Sequence, residues 1–487
     1  MTRLVSISSA PTLLKHALYG AIIMGLSFVG SVAAAASSEQ PIDVQAIMPP
    51  LSNPAAGLQI KSEAQVAADV ARGAAYNETA MPSVPAEFAR FRTSTAKLDF
   101  GQAQRLGKVR DYDEFAQMQQ YVNNAYNGVS VLNTIHTADG QVYDCIPIRQ
   151  QPALRHGAAL AMPPADLKKN AAAEGEACGS GAVPFARLDM HDIIRYPTLR
   201  AFLSKGKQAP PSRVKPQNSN GHSYSVVTAD NTGAYGYGAG AGLNLWSPTG
   251  KAITPTSTGM TLSQIWLEGR DSAGNDQTLE VGWQVQPAAW NTVKSVPFIY
   301  FSADGYNQTG CYNLECSGFV QTNNSVTFGS AFASSQFSVS GGTQTLMTVS
   351  WQWKNSNWWL NVNGQAIGYY PASQYGSGTL GSSGNALGFE AGGEEAGTSS
   401  GTMTGTQLPM GSNQFAATGY QKAAFEADLF AFSSSGSVNY LNLARATSYL
   451  SDPKCYTQAM AGGTNSLPLN ALMTHNGFYY GGPGCSK

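Results

Sequence analysis

Residues 357–371 read NWWLNVNGQAIGYYP, and this stretch decides the class of fold. Two runs rich in aromatic and aliphatic residues flank the pair Asn363-Gly364. Because Asn and Gly accept the positive φ angles of a two-residue turn, the pattern predicts a β-hairpin. Similar runs, separated by turns rich in Gly, Asn and Asp, recur after residue 222: GAGLNLWSP at 240–248, TLEVGWQVQP at 278–287, VPFIYFSADGY at 296–306 and TLMTVSWQW at 345–353.

The C-terminal part of the chain is therefore predicted to be all-β. Many short strands with few helical patterns favour two stacked antiparallel sheets, as in a β-sandwich or jelly roll. The N-terminal part is mixed, because residues 57–75 predict a helix and DGQVYDCIPI at 139–148 predicts a turn and a short strand. Residues 205–222, rich in Pro and polar residues, are typical of an exposed linker between the two parts.

Composition argues against several classes of function. The 487-residue chain has a formal net charge of −1, so it lacks the basic surface that binds nucleic acid. Charged residues make up 12% of the chain, whereas hydrophobic residues make up 43%, which is enough to build a core. Low charge with abundant Gly and aromatic residues suits an exported all-β protein.

The N-terminus has the pattern of a targeting segment. Arg3 and Lys15 precede an apolar run at 17–32, and four alanines at 33–36 offer a cleavage site. We predict a signal peptide over residues 1–36 and a secreted protein, extracellular or periplasmic. The alternative is an uncleaved anchor, because the run is nearly long enough to span a bilayer. No second long apolar run follows, so no membrane contact is expected after cleavage.

Six cysteines fall in three sequential pairs. An even number in an exported chain predicts disulfides, and six cysteines allow fifteen pairings. The sequential pairing is our preference: Cys145–Cys178, Cys311–Cys316 and Cys455–Cys485. Half of a metal site at Cys311 and Cys316 is the alternative, but no second Cys pair or His cluster lies near it in sequence. We therefore expect no metal and no cofactor.

Carboxylates are the candidate reactive groups in the C-terminal part. Only His222 and His475 occur from residue 222 onward, one in the linker and one in a Gly-rich tail, so a Ser-His-Asp triad has no support. No Gly-rich phosphate motif precedes a helix, which argues against nucleotide binding. Two carboxyl groups can divide hydrolysis between them, one ionised as a base and one protonated as an acid. Such a pair predicts activity at acid pH.

Glu280 is one candidate, in the strand pattern QTLEVGWQV at 277–285. Alternation places Leu279 and Val281 on one face and Glu280 with Gly282 on the other. The apolar face would pack on the core, and the Gly would leave room for a ligand beside the carboxylate. An ordinary solvent-facing strand residue is the simpler interpretation of the pattern alone.

The other candidates lie in LGFEAGGEEAGT at 387–398. Glu390, Glu394 and Glu395 are padded only by small residues and Phe, and a solvated loop is the simpler interpretation. Gly392 and Gly393 permit unusual backbone angles that would aim a side chain inward. Aromatic residues are candidates for substrate subsites or for the core: Trp266, Trp283, Tyr306, Trp351, Trp353, Trp358, Trp359, Tyr369 and Tyr370.

These motifs resemble the neprosin family of glutamic peptidases. The matching segments run in the family's order and together cover essentially all of 223–487. Two shorter segments, at 139–154 and 178–188, are similar to the family's pro-segment. The main matches are GAGAGLNLWSP at 238–248, SQIWLEG at 263–269, LEVGWQV at 279–285, AGGEEAG at 391–397 and FYYGGPGCSK at 478–487.

The resemblance implies a fold and a domain order. The fold would be a concanavalin-like sandwich of two antiparallel sheets, preceded by a smaller α+β pro-domain. The chain would then divide into a signal peptide at 1–36, a pro-domain at 37–205, a processing linker at 206–222 and a peptidase domain at 223–487. It would be a monomeric zymogen inhibited by its own pro-domain.

The resemblance also implies an activity and a site. Members cut peptide bonds after proline at acid pH with a glutamate pair, here Glu280 in the E-x-G-W strand and Glu394 in the G-G-E motif. The family usually has an aromatic residue before G-G-E and an aliphatic one after it, whereas Ala391 and Glu395 stand here. Glu395 could alter the pH range or take part of the role. Further support would come from Gln264 and Gln284 for the oxyanion, and from Trp283 and Tyr306 for the substrate.

Two other functions fit a sandwich with paired carboxylates. A glycoside hydrolase would use the pair on sugars and release reducing ends. A non-catalytic module that binds carbohydrate or cell wall would keep its ligand when either glutamate is lost. The expected substrates of the favoured function are proline-containing peptides or proteins.

Overall fold

The computed structural model describes residues 42–51, 86–167, 178–205, 222–228, 235–251, 253–381, 384–397, 407–463 and 466–485. The predicted signal peptide, the predicted helix at 57–75 and linker residues 206–221 lie outside the described residues. Among the described helices, none is long and apolar enough to cross a membrane.

The quoted stretch forms the predicted hairpin. Strands β11 (Asn357–Val362) and β12 (Gln365–Pro371) pair antiparallel. Asn363 has a φ of 50° and Gly364 a φ of 77°, the positive values that a type I′ turn needs. The hairpin lies in a nine-stranded antiparallel sheet whose order is β17-β18-β14-β5-β10-β11-β12-β9, with β15 paired to β14. Its other strands are β5 (Gly238–Asn244), β9 (Val320–Gln321), β10 (Leu346–Lys354), β14 (Ala424–Phe432), β15 (Val438–Tyr440), β17 (Thr457–Ala461) and β18 (Gly477–Gly481).

A second antiparallel sheet has six strands in the order β16-β4-β13-β6-β7-β8. It includes both sequence stretches that hold candidate glutamates. Its strands are β4 (His222–Thr228), β6 (Met260–Arg270), β7 (Asp276–Val285), β8 (Val296–Ser302), β13 (Gly388–Ala396) and β16 (Thr447–Leu450).

The core lies between the two sheets. Alternate residues of the six-stranded sheet, such as Ile265, Val281 and Phe389, belong to one hydrophobic cluster with Val349 and Trp351 of the nine-stranded sheet. All five are at most 2% exposed, and burying each aliphatic or aromatic side chain stabilises the fold by roughly 1.5–3 kcal/mol. The predicted all-β fold of two stacked antiparallel sheets is confirmed.

Residues 42–205, here called the N-terminal segment, form the predicted smaller α+β region. A three-stranded sheet of β1 (Asn133–His136), β2 (Val142–Pro147) and β3 (Ala182–Ala186) accompanies short helices. The longest helix begins where the Asp111 side chain accepts hydrogen bonds from two first-turn N–H groups. The helices, with one further helix in the sandwich, are α1 (Val44–Ile47), α2 (Ala86–Ala96), α3 (Phe100–Leu106), α4 (Tyr112–Tyr126), α5 (Pro152–Arg155), α6 (Met190–Ile193), α7 (Leu199–Leu203) and α8 (Pro287–Trp290).

The N-terminal segment packs directly on the sandwich, and many of its contacts are hydrogen bonds to backbone carbonyl and N–H groups. The Tyr121 hydroxyl donates to the carbonyl of Glu315 at 2.6 Å. The Gln151 amide and the backbone of Gln321 exchange two bonds of 2.8 Å each. The guanidinium of Arg200 donates to three consecutive carbonyls at 307–309. These particular bonds do not depend on the protonation of a carboxylate.

All three predicted disulfides are present: Cys145–Cys178, Cys311–Cys316 and Cys455–Cys485. The first is within the N-terminal segment and joins residues on either side of the stretch 168–177. The other two are within the sandwich, and the last ties the chain end to the start of β17. Three disulfides are compatible with an extracellular protein.

Candidate active site

The two predicted catalytic glutamates stand on strands that are separated by one strand of the six-stranded sheet. Glu280 of β7 lies opposite Trp266 of β6, and Glu394 of β13 lies opposite Leu262 of β6. Both side chains project from the face that does not meet the nine-stranded sheet, which we call the site face. The opposite face is called the core face. Glu280 and Glu394 are 0% and 1% exposed.

Small residues line the site face between the two glutamates. Gly392 of β13, Gln264 of β6 and Gly282 of β7 stand in one row across the sheet. A Cβ atom would lie 1.9 Å from the Ser263 carbonyl oxygen at Gly282 and 2.3 Å from the Ser225 carbonyl oxygen at Gly392. Gly392 also has a φ of 145°, which other residues rarely adopt. Only glycine fits at both positions, so the amide of Gln264 has no neighbouring side chain in its row.

The side chain of Lys205, which follows α7, reaches between the two glutamates. Its Nζ atom lies 2.8 Å from Oε2 of Glu280 and 2.7 Å from Oε2 of Glu394. The ammonium is also 5.0 Å from the centre of the Trp266 ring, and the Lys205 backbone N–H donates to the Tyr300 hydroxyl. Lys205 is only 6% exposed, so its buried charge is compensated by both carboxylates.

Glu394 has two further hydrogen-bond partners. Nδ1 of His222 lies 2.6 Å from Oε1 of Glu394, and the Gln264 amide donates to Oε2 at 3.0 Å. Burial raises the pKa of Glu394, but the Lys205 ammonium and the hydrogen bond from His222 outweigh it and lower the pKa to about 2. Glu394 is therefore an ionised carboxylate inside the protein.

The carboxylate of Glu280 has different hydrogen-bond partners from that of Glu394. Its Oε1 accepts a hydrogen bond from the Tyr306 hydroxyl at 2.6 Å and another from the Thr278 hydroxyl at 3.0 Å. Tyr306 adopts a φ of 63°, and its ring stacks on Tyr300, which holds the hydroxyl in place. Among the described residues, its hydrogen-bond partners other than Lys205 are these two neutral hydroxyls.

The predicted supporting residues are divided between the two faces. Gln264 and Tyr306 contact the glutamates as described. Gln284 is on the site face, but it bonds to Met260, Tyr312 and Trp290 instead. Trp283 is on the core face, and its indole N–H donates to the Asn244 carbonyl. The structure therefore does not bring Trp283 or Gln284 to the carboxylates, because strand alternation turns the first away and an aromatic cluster holds the second.

The acidic stretch at 388–396 is a buried strand, so the interpretation as a solvated loop is wrong. Alternation along β13 separates its three carboxylates. Glu394 points to the site, whereas Glu395 points to the core face and accepts the Leu408 backbone N–H at 3.2 Å. Glu390 is on the site face, one row beyond Gly392, and bonds to the Thr228 hydroxyl. Glu395 thus lies on the opposite face of the strand from Glu394.

Lys205 and His222 have no sequence signal that marks them as site residues. Lys205 follows the apolar helix LRAFL, and His222 is the first residue of β4 rather than the last residue of the linker. Their contacts with Glu394 span 189 and 172 residues of sequence, so only the fold reveals them. Within the described residues, no group of three or more His, Cys, Asp or Glu side chains is arranged to hold a metal.

These features define the class of protein: an antiparallel two-sheet sandwich with a buried pair of carboxylates on the outer face of one sheet. A family model described as Neprosin matches residues 257–483, a range that contains both glutamates. The chain therefore carries a neprosin domain over these residues, and the resemblance predicted from its motifs is confirmed. This family supports a peptidase-type function in general.

Proposed function

We propose that the protein is a secreted glutamic endopeptidase, made as a zymogen, that hydrolyses peptide bonds after proline at acid pH. The observation that carries the proposal is the convergence of Glu280 and Glu394 on one point, the Nζ atom of Lys205. Two carboxylates brought so close cannot both ionise cheaply once the ammonium leaves, so they share a proton.

In the proposed mechanism a water molecule takes the place of the ammonium. A water at that point would hydrogen-bond to both carboxylates, as Nζ does at 2.8 and 2.7 Å. The ionised glutamate removes a proton while the water oxygen attacks the carbonyl carbon. The protonated glutamate then donates its proton to the leaving nitrogen. The Gln264 amide, free of side-chain neighbours in its row, would donate to the developing oxyanion.

The N-terminal segment would act as the inhibitor, with Lys205 as its central contact. The ammonium neutralises both carboxylates and occupies the position of the water. The Lys205 ammonium contributes to lowering the pKa of Glu394 to about 2, so this contact favours docking while Glu394 is ionised and is lost as the pH falls toward 2. Acid therefore weakens this contact first, while the neutral hydrogen bonds of the segment persist.

Ion pairs outside the site have the opposite polarity to the contact of Lys205. Among the described residues, Asp139–Lys294 and Asp166–Lys354 join the segment to the sandwich, and in both the sandwich supplies the cation. At Lys205 the polarity is reversed, because the segment supplies the cation and the sandwich supplies the carboxylates of Glu280 and Glu394. Acid release would therefore act at the site rather than over a broad charged surface.

The linker would be the processing region. It contains Pro210, Pro211 and Pro216, so an enzyme that cuts after proline could cut it. The full chain with Glu394→Gln, incubated at acid pH, should keep its linker intact on gel electrophoresis, whereas the wild-type chain is cut. Normal processing of the variant would contradict self-cleavage.

Cleavage mapping tests the function itself. A denatured protein is digested by acid-treated enzyme at several pH values, and the cut sites are read by mass spectrometry. We expect cuts after proline at acid pH, with Glu280→Gln and Glu394→Gln slowing them at least about 100-fold. Glu390→Gln, on the same strand and face but outside the pair, is the matched control and should change the rate less than about twofold.

The outcome that contradicts the proposal is equally specific. Unchanged cleavage by both glutamine variants would exclude the pair as the reactive groups. Release of reducing ends from polysaccharide, with no peptide cut at any pH, would favour a glycoside hydrolase instead.

A further inference from the structure

The two glutamates differ in the kind of partner that each one keeps when Lys205 leaves. Glu394 keeps His222 at 2.6 Å and the Gln264 amide at 3.0 Å. Glu280 keeps only the hydroxyls of Tyr306 and Thr278. An imidazole N–H and an amide N–H both favour the ionised form of a carboxylate, whereas a hydroxyl can also accept a hydrogen bond from a protonated carboxyl group.

His222 is held in place by the fold. It is the first residue of β4 and pairs with Ala396 of β13, while the next residue on the same face, Tyr224, pairs with Glu394. Its ring stacks on the Tyr224 ring with an interplanar angle of 17°. His222 is 9% exposed, so its Nδ1 atom meets Oε1 of Glu394 in a site largely shielded from water.

We propose that His222 is a positioning residue that keeps Glu394 ionised, which makes Glu394 the general base and Glu280 the proton donor. This assignment rests on the proposed function, because it divides the two roles of that mechanism. An imidazole N–H on Oε1, together with the Gln264 amide on Oε2, favours the ionised form of Glu394. The shared proton of the two glutamates then resides on Glu280.

The surrounding groups have been considered in this assignment. Tyr224 faces His222 from its own strand, and Glu394 faces it from β13. Lys205 and Glu280 lie beyond Glu394, on its other oxygen. Once Lys205 is removed, His222 is the basic side chain that contacts the pair within the described residues. The contact that separates the two roles therefore comes from a residue on β4.

The test reads the two carboxyl groups directly in the full chain. Lys205→Met removes the ammonium but keeps an apolar stem over Trp266, and alanine replaces the three linker prolines to keep the chain intact. Glutamate labelled with ¹³C at the carboxyl carbon is followed by NMR as the pH is lowered, and Glu280→Gln and Glu394→Gln assign the signals. We expect Glu280 to take up its proton at a higher pH than Glu394.

Replacing His222 should remove the difference between the pH values at which Glu280 and Glu394 take up a proton. In His222→Asn the amide keeps a donor near the position of Nδ1 but carries no charge, and the titration midpoint of Glu394 should rise by about one pH unit or more. The acid limb of kcat should move upward with it, whereas KM should stay the same. His475→Asn is the matched control, since His475 also faces a carboxylate, Asp428, but is exposed. It should change neither midpoint.

Two results would overturn the inference. One is that Glu394 takes up its proton at a higher pH than Glu280 in the chain that retains His222. This result would overturn the inference even if His222→Asn fails to fold. The other is an unchanged Glu394 midpoint in a folded His222→Asn protein. Neither readout requires activity, so a protein that orders its carboxyls as expected but cuts no peptide contradicts the proposed function alone.

Discussion

Glu394 and Glu426 are both buried glutamates that lie on opposite sides of the six-stranded sheet. Glu394 is on the site face with Lys205 and His222 against it. Glu426 comes from β14 through the core and meets the Ser263 hydroxyl at 2.8 Å and the backbone of Gly392. Burial raises the pKa of both, yet the pKa of Glu394 ends at about 2 and that of Glu426 well above 4.5.

The difference shows that burial alone does not decide the state of a carboxyl group in this sandwich. Where neutral donors are the neighbours, the group takes a proton, as Glu426 does. Where a cation shares the site, it stays ionised, as Glu394 does. Glu280 has both kinds of neighbour, because the Lys205 ammonium contacts its Oε2 and two neutral hydroxyls contact its Oε1.

The largest effect on stability should come from substituting Gly392, which lies between the environments of Glu394 and Glu426. Gly392→Ala places a Cβ against the Ser225 carbonyl at a φ of 145°, and it distorts the strand between Glu426 and Glu394. We expect a loss of about 3 kcal/mol in the free energy of unfolding. Urea denaturation measures it. Gly250→Ala, where the nearest atoms are at 3.4 Å, is the control and should cost less than about 1 kcal/mol. Equal losses would show that β13 tolerates a side chain at this point.

A smaller but sharper effect should follow from removing the cation on the site face. Lys205→Met should raise peptide cleavage by the uncut chain about tenfold or more, because the ammonium no longer holds both carboxylates. Lys354→Met removes a cation from another ion pair of the docked segment, with Asp166, and serves as the control. Activity is measured on a proline peptide with the linker prolines replaced. A Lys205→Met chain as inactive as the wild type would show that other contacts of the segment block the site.

The smallest effect should come from the core face. Because Glu426 is already neutral, Glu426→Gln should change the free energy of unfolding at pH 4 by less than about 1 kcal/mol. The raised pKa of Glu426 contributes stability below the ordinary value of 4.5, and this contribution is lost as the pH rises through the folded-state pKa. The variant should therefore lose less stability than the wild type between pH 4 and pH 8. Thermal melts across this range provide the measurement, and parallel curves for the two proteins would contradict the neutral state of Glu426.

Much of the site was accessible from sequence because it lies on regular strands. Alternation at 279–285 predicts the face of Glu280, and the order of motifs identifies Glu394. Periodicity cannot show which distant residues approach a strand, so it gives no sign of Lys205 or of Glu426. Alternation places Trp283, three residues after Glu280, on the opposite face, and its indole does bond to the Asn244 carbonyl there, so its predicted role as substrate support is not met by its contacts. Composition likewise predicts a loop for the acidic stretch, because it carries no information about the strands that pair with β13 on either side.

The linker has one further property that follows from its two ends. Lys205 and His222, which flank residues 206–221 in the sequence, contact the two oxygens of one carboxylate, Oε2 and Oε1 of Glu394. While Lys205 stays there, it occupies the position proposed for the attacking water, so the molecule cannot cut any chain, its own included. If the protein cuts itself as proposed, the first cuts are made by one molecule on another. Activation would then be bimolecular, with a lag that shortens as the concentration rises, and a trace of processed enzyme would abolish that lag.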